Sequence, residues 1–228
     1  MHASYRLRLV VPAALAVVLV ALIGGGTRAQ NSPSSPPSPF DALHFRDIGP
    51  GVTSGRIHDI AIDPKDPAVL YVGTAGGGIW MSTNKGTTWK DVFGKQPDNS
   101  FGALAIFAND PKIVWAGSGE QNNRQSSSWG GGVYRSTNGG DSWTYLGLHQ
   151  TRSIGRVVLD QLDPNVAYVA AVGNLWADDP ERGVFKTTDA GKTWTKLLYV
   201  DPFTGATDPV MDPRAPLADL GADPVVNP

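Results

Sequence analysis

An all-β fold of repeated four-stranded units is predicted by three features of this sequence. One eight-residue text occurs three times, each copy follows the same succession of turn and apolar runs, and those runs are short and rich in β-branched and aromatic residues. The octets are Ser82-Thr83-Asn84-Lys85-Gly86-Thr87-Thr88-Trp89, Ser136-Thr137-Asn138-Gly139-Gly140-Asp141-Ser142-Trp143 and Thr187-Thr188-Asp189-Ala190-Gly191-Lys192-Thr193-Trp194. Their closing tryptophans are 54 and 51 residues apart, about the length of one four-stranded unit.

The elements of each unit follow in order. First strands are expected at 57–62, 103–107 and 157–162, ahead of turns at Asp66-Pro67, Asp110-Pro111 and Asp163-Pro164. Second strands follow those turns as Val69-Leu70-Tyr71-Val72, Ile113-Val114-Trp115-Ala116 and Val166-Ala167-Tyr168-Val169. Third strands carry an apolar pair after glycine, Gly78-Ile79-Trp80, Gly132-Val133-Tyr134 and Gly183-Val184-Phe185, and fourth strands begin at Trp89, Trp143 and Trp194. The runs at 69–72 and 103–107 are apolar at successive positions, so both faces of those strands must be covered. Blades stacked face to face in a β-propeller provide that cover.

The octet has a mechanical reading. A hydroxyl at its first position and Asn or Asp at its third can accept hydrogen bonds from the amides of a tight turn between strands three and four. Glycine at its fifth position, Gly86, Gly140 or Gly191, permits positive φ, and the tryptophan packs back against the blade. The octet is therefore a folding device.

These octets resemble the Asp box, S-x-D-x-G-x-T-W, of the BNR-repeat propellers, a group that includes sialidases, xyloglucan-cleaving glycosidases, the sortilin luminal domain and a plant photosystem II assembly factor. With Phe45-Arg46-Asp47-Ile48-Gly49-Pro50 and Gly119-Glu120-Gln121-Asn122-Asn123-Arg124, residues 44–200 are similar to exported bacterial proteins of the sortilin-N-terminal or "glycosyl hydrolase" BNR type. The resemblance implies the fold and leaves the function open, because the same scaffold carries enzymes, receptors and assembly factors. A closed propeller has about four blades or more, and only three full repeats fit here. A fourth begins at 205–216, where Asp212-Pro213-Arg214-Ala215-Pro216 repeats the spacing of Asp63-Pro64-Lys65-Asp66-Pro67, and then loses the pattern at 217–224. The expectation is a partial propeller of three blades and the start of a fourth, a truncated or frameshifted product or a piece of a longer one, with unpaired strand edges.

Ahead of the repeats, Arg6 and Arg8 precede an apolar run at 9–23 and a small-x-small exit at Thr27 and Ala29. This is the layout of a signal helix, with a signal peptide at 1–29, cleavage before Gln30 and export. A Ser/Pro-rich linker follows at 30–43. The chain has no cysteine, so stability after export rests on packing. A net charge of -2 and the lack of any basic run argue against nucleic acid, and no membrane contact is expected after cleavage.

Loops joining strands two and three share one face of a propeller with the links between blades, while the octets occupy the other. The first such loop is short (74–78) and the next two are long (119–130 and 173–182). They offer Glu120, Asn122, Asn123, Arg124, Trp129 and Trp176 as candidate binding residues for a protein, peptide or glycan. Glu120 and Arg124 could alternatively pair with each other and hold their own loop. The resemblance to xyloglucan-cleaving glycosidases implies a catalytic aspartate just before Gly76-Gly77-Gly78-Ile79-Trp80, where this chain has Ala75. No catalytic residue is therefore assigned.

The leading expectation is a non-catalytic binding or scaffold module. The alternative is a glycoside hydrolase fragment lacking part of its active site, xyloglucanase-like with Glu120 or Asp178 as acid, or sialidase-like with charge from Arg46, Arg56, Arg124 and Arg156. Gly191-Lys192-Thr193 belongs to an octet and not to a phosphate loop. His2, His44, His58 and His149 are scattered, and Asp178, Asp179 and Glu181 lack the periodicity of a calcium loop, so neither metal nor cofactor is expected.

Overall fold

The computed structural model describes residues 56–211. The expected signal peptide and linker, and the tail beyond 211, lie outside the described residues. Twelve strands form three four-stranded antiparallel sheets, each a simple meander. The first contains β1 (Ile57–Ile62), β2 (Leu70–Thr74), β3 (Ile79–Ser82) and β4 (Lys90–Asp91). The second contains β5 (Phe101–Ile106), β6 (Val114–Ser118), β7 (Val133–Ser136) and β8 (Thr144–Tyr145), and the third β9 (Ile154–Leu159), β10 (Ala167–Ala171), β11 (Gly183–Thr187) and β12 (Thr195–Leu198). First strands pack on first strands, β1 beside β5 and β5 beside β9. This is the arrangement of three successive blades of a β-propeller.

The expected elements are present with shifted ends. The fourth strands start one residue after each tryptophan. The second and third inner strands begin at Phe101 and Ile154, earlier than the expected 103 and 157. Gly102 and Gly155 interrupt the apolar pattern there for a steric reason. A Cβ on Gly102 would lie 2.1 Å from the Ile154 carbonyl oxygen, and one on Gly155 would lie 2.6 Å from that of Thr207. Beside Gly102 the inner strand of the following blade passes where a side chain would stand, and beside Gly155 the extended backbone at Thr207, which belongs to no strand, does so. Thr207 thus holds against the third blade the position that Ile154 holds against the second, and Arg156 Nε donates to Asp208 Oδ1 at 2.8 Å.

The successive apolar positions face two different neighbours. Phe101 and Leu104 join Tyr71, Ile79 and Phe93 in the core between blades one and two, whereas Ala103 joins Ile154, Val157, Val169 and Phe185 in the core between blades two and three. Register makes Ile57, Ile60 and Ile62 of β1 the counterparts of Phe101, Leu104 and Ile106. These isoleucines are 58%, 54% and 54% exposed, because no described residues form a blade on that side.

The octets build the same turn three times. The Ser82 hydroxyl accepts from Gly86 N at 2.8 Å, and Asn84 Oδ1 accepts from Thr88 N at 2.9 Å. Ser136 and Asn138 repeat these bonds, as do Thr187 and Asp189. Two consecutive residues are left-handed in each turn, and the second is always glycine, at φ 82°, 90° and 86°. The tryptophans reach further than expected. Instead of packing only on its own blade, Trp143 donates from Nε1 to the Val92 carbonyl of the preceding blade at 2.9 Å, and Trp194 donates to the Leu146 carbonyl at 2.8 Å. Tyr71 Oη crosses the first junction in the other direction, to Gly139 O at 3.1 Å. Burial pushes the Tyr71 hydroxyl up to about 12, helped by Asp63 and Asp141.

Candidate functional site

The meander places the loops after β2, β6 and β10 on one face, together with the links β4–β5 and β8–β9. Two groups of polar side chains form there from segments distant in sequence.

The first surrounds Glu120, just past the end of β6. Its side chain is fully buried, and both carboxylate oxygens accept from Arg56 Nη2 at 2.7 Å. His58 Nε2 lies 3.4 Å from Oε2, and Ser128 N donates to Oε1 at 3.4 Å. Arg56 Nη1 also reaches the Ser126 hydroxyl at 3.3 Å. Glu120 therefore pairs across the blade junction with Arg56 and not with Arg124, the partner its own loop offered. A carboxylate this enclosed cannot meet a sugar or serve as a general acid to one, which corrects its place among the candidate binding residues. Its loop neighbours Asn122, Asn123 and Arg124 are exposed, and the Ser127 hydroxyl holds their backbone by accepting from Arg124 N at 2.9 Å. Ala75 is buried, its amide bonded to the Arg56 carbonyl at 2.9 Å.

The second group forms a shallow cleft of about 260 Å³ lined by Asp98, Trp129, Gly130, Gly131, His149, Gln150 and Arg152. Trp129 ends the long loop of blade two and is 52% exposed. The Arg152 guanidinium carbon stands 4.2 Å from its ring centroid, a cation–π distance. Asp98, from the β4–β5 link, accepts from Gly131 N at 2.8 Å. The Gly131 carbonyl in turn accepts from Tyr145 Oη at 2.9 Å, and His149 Nδ1 lies 3.3 Å from it. Glycine is required on this path, since a Cβ on Gly130 would lie 2.2 Å from Ser118 Oγ and one on Gly131 2.9 Å from Asp98 Oδ2. Burial raises the Tyr134 hydroxyl above its ordinary range, and the adjacent Asp98 charge adds to that. Tyr145 is raised for the same two reasons. Both tyrosines remain neutral, and Tyr145 keeps the proton it donates to the Gly131 carbonyl.

Arg152 follows the 3₁₀ turn His149–Thr151 and has φ 55° and ψ -51°, a conformation rarely adopted by residues with a side chain. Its carbonyl accepts from Gly130 N at 2.7 Å, tying the loop of blade two to the β8–β9 link.

The long loop of blade three is organised from within. Asp179 is buried and accepts from Asn174 N at 2.7 Å and Glu181 N at 2.8 Å. Arg182 donates to the carbonyls of Pro202, Val172 and Asn174. Trp176 is 53% exposed, and Asp178 is exposed beside it. Of the six candidates read from the sequence, Trp129 alone lines the cleft. Asp98, His149, Gln150 and Arg152 were missed because they lie in blade links, whose only signal was their topological placement on the loop face. Among the described residues no three His, Asp or Glu side chains are grouped to hold a metal ion, and no helix is long and apolar enough to cross a membrane.

No protein-family model matches the chain. A xyloglucanase from a Paenibacillus species is 28% identical over 210 residues, covering 86% of this chain and 20% of that protein. The xyloglucanase Xgh74A of Acetivibrio thermocellus is 32% identical over 175 residues, covering 60% of this chain and 19% of its own length. The chain is similar to xyloglucanases. It spans about a fifth of the length of these relatives. The crystal structure of an ancestral GH74 enzyme superposes with a TM-score of 0.52 at 23% identity, over 66% of this chain and 19% of that one, a likeness of fold.

Proposed function

We propose that this chain is part of an exported, glycoside-hydrolase-like propeller of the Asp-box type, and that its loop face binds a polysaccharide. The observation that carries the reading is the cleft in which a half-exposed tryptophan stands beside a carboxylate, an imidazole and a guanidinium. A flat aromatic ring matches the apolar face of a pyranose, and the polar groups around it match hydroxyls. Similarity to xyloglucanases supports a β-glucan backbone as the substrate class.

The described residues supply binding more readily than bond cleavage. Hydrolysis by two carboxyl groups needs both to face the scissile bond, and here Glu120 is sealed by Arg56 while Asp98 is engaged with Gly131. Cleavage within a longer protein would draw its carboxylates from other blades. Affinity electrophoresis in gels containing xyloglucan or mixed-linkage β-glucan, run beside a reducing-sugar assay, tests this reading. Retardation that Trp129→Ala abolishes, without sugar release, is the expected result. Mobility unchanged in every polysaccharide refutes polysaccharide binding, and release of reducing ends by this chain refutes its assignment as a binding segment.

A further inference from the structure

The cleft contains one group that a neutral sugar does not require. Arg152 is held over Trp129 at 4.2 Å, and among the described residues no carboxylate forms a salt bridge with it. Of the other arginines of this face, Arg56 is committed to Glu120, Arg156 to Asp208 and Arg182 to backbone carbonyls, while Arg124 stands exposed on the loop of blade two, outside the cleft. Asp98, the acid of the same cleft, is engaged by Gly131 N, and its charge acts on Tyr134 and Tyr145. The Arg152 backbone is fixed in a sparsely populated conformation, with its carbonyl bonded to Gly130 N, so the guanidinium is carried on a constrained stem.

A guanidinium without an acid partner, beside an aromatic plate, is arranged for a planar anion. The fork of arginine donors matches a carboxylate bidentately, and the cation–π contact with the indole restricts where that fork can stand. The cleft volume of about 260 Å³ lies below the roughly 300–1,000 Å³ of pockets that enclose drug-sized ligands, so it holds one residue of a longer chain. Resting on the polysaccharide-binding reading above, we infer that this subsite takes a hexuronate residue: its carboxylate on Arg152, its ring against the exposed part of Trp129, and its hydroxyls toward Asp98 and Gln150.

The test is equilibrium binding of the folded chain to polygalacturonate and to xyloglucan, in low and in 0.5 M salt. Polygalacturonate is expected to bind about ten- to a hundredfold tighter than xyloglucan, the worth of a charge-assisted hydrogen-bonded pair. Salt should erode that preference alone, because it screens the ion pair and leaves stacking intact. Arg152→Gln should remove the preference, and Arg152→Lys should recover little of it, since lysine lacks the planar fork. Lys95→Gln, which removes an exposed charge from the β4–β5 link, controls for net charge and should leave the preference unchanged. Thermal melts of the Arg152 variants establish that they are folded.

Equal affinity for the two polymers in the unaltered chain, or a preference that survives Arg152→Gln in a folded variant, overturns the uronate assignment while polysaccharide binding stands. Binding of neither polymer overturns both readings.

Discussion

Replacing the octet tryptophans one at a time tests whether they act between blades or within them. Trp143 is 9% exposed, donates to the Val92 carbonyl at 2.9 Å and meets Phe93 edge-on, with ring centroids 5.2 Å apart. In Trp143→Phe the half-buried carbonyl of a neighbouring blade loses its partner, at a cost of about 1–3 kcal/mol. Weakening of the aromatic contact adds up to about 1 kcal/mol. The expected total is about 1–4 kcal/mol, with a middle value of about 2.5 kcal/mol. Trp89 has the same place in the first octet, yet it is 40% exposed and no carbonyl of a preceding blade accepts its Nε1 among the described residues. Trp89→Phe should therefore cost less than about 1 kcal/mol, as surface substitutions do. Urea unfolding followed by far-UV circular dichroism separates the two. With a slope of about 2 kcal/mol per molar urea, a cost of about 2.5 kcal/mol for Trp143→Phe against about 0.5 kcal/mol for Trp89→Phe separates the midpoints by about 1 M. Equal midpoints would show that the tryptophan serves its own turn and that the inter-blade bond contributes nothing to blade cohesion.

Glu120→Gln leaves Arg56 and His58 facing a neutral amide in a buried site, and should destabilise the chain by about 2–4 kcal/mol in chemical denaturation while leaving polysaccharide affinity intact in the folded fraction. Loss of affinity without loss of stability would return Glu120 to the binding site. Gly102→Ala should cost more than about 3 kcal/mol or abolish folding, because the atoms facing the added methyl, at 2.1 and 2.5 Å, are backbone oxygens that cannot step aside; a melting temperature near that of the parent would refute the close blade contact. Hydrogen bonds from the Thr193 hydroxyl and amide, and from Thr187, hold the Asp189 carboxyl down to about 2 from its ordinary 3.8. A lowered folded-state value means this contribution is complete above pH 3.8 and disappears as pH falls through 2. Asp189→Asn, which matches Asn84 and Asn138 of the other octets, should flatten the thermal stability profile between pH 4 and 2, and an unchanged slope would refute the assignment.

The sequence by itself determined the repeat, the order of strands in each blade and the chemistry of the octet turn. These are local properties: Ser82, Asn84 and Gly86 satisfy one another within a few residues, so their spacing carries the bonds that form. A resemblance to repeat propellers that include xyloglucan-cleaving glycosidases was legible in the octets, the similarity to xyloglucanases themselves emerged from whole-chain comparison, and the catalytic aspartate that resemblance implies is Ala75 here. Junctions between blades are different. Tertiary structure alone decided that Glu120 pairs with Arg56, 64 residues away, and that Trp143 bonds 51 residues back to Val92. It also brought Trp129 of a loop together with Asp98 and Arg152 of two separate links. Rotation from blade to blade sets which side chains meet, and a linear pattern contains no record of that angle. A glutamate beside an arginine in one loop reads as a pair until folding supplies a nearer guanidinium from the neighbouring blade.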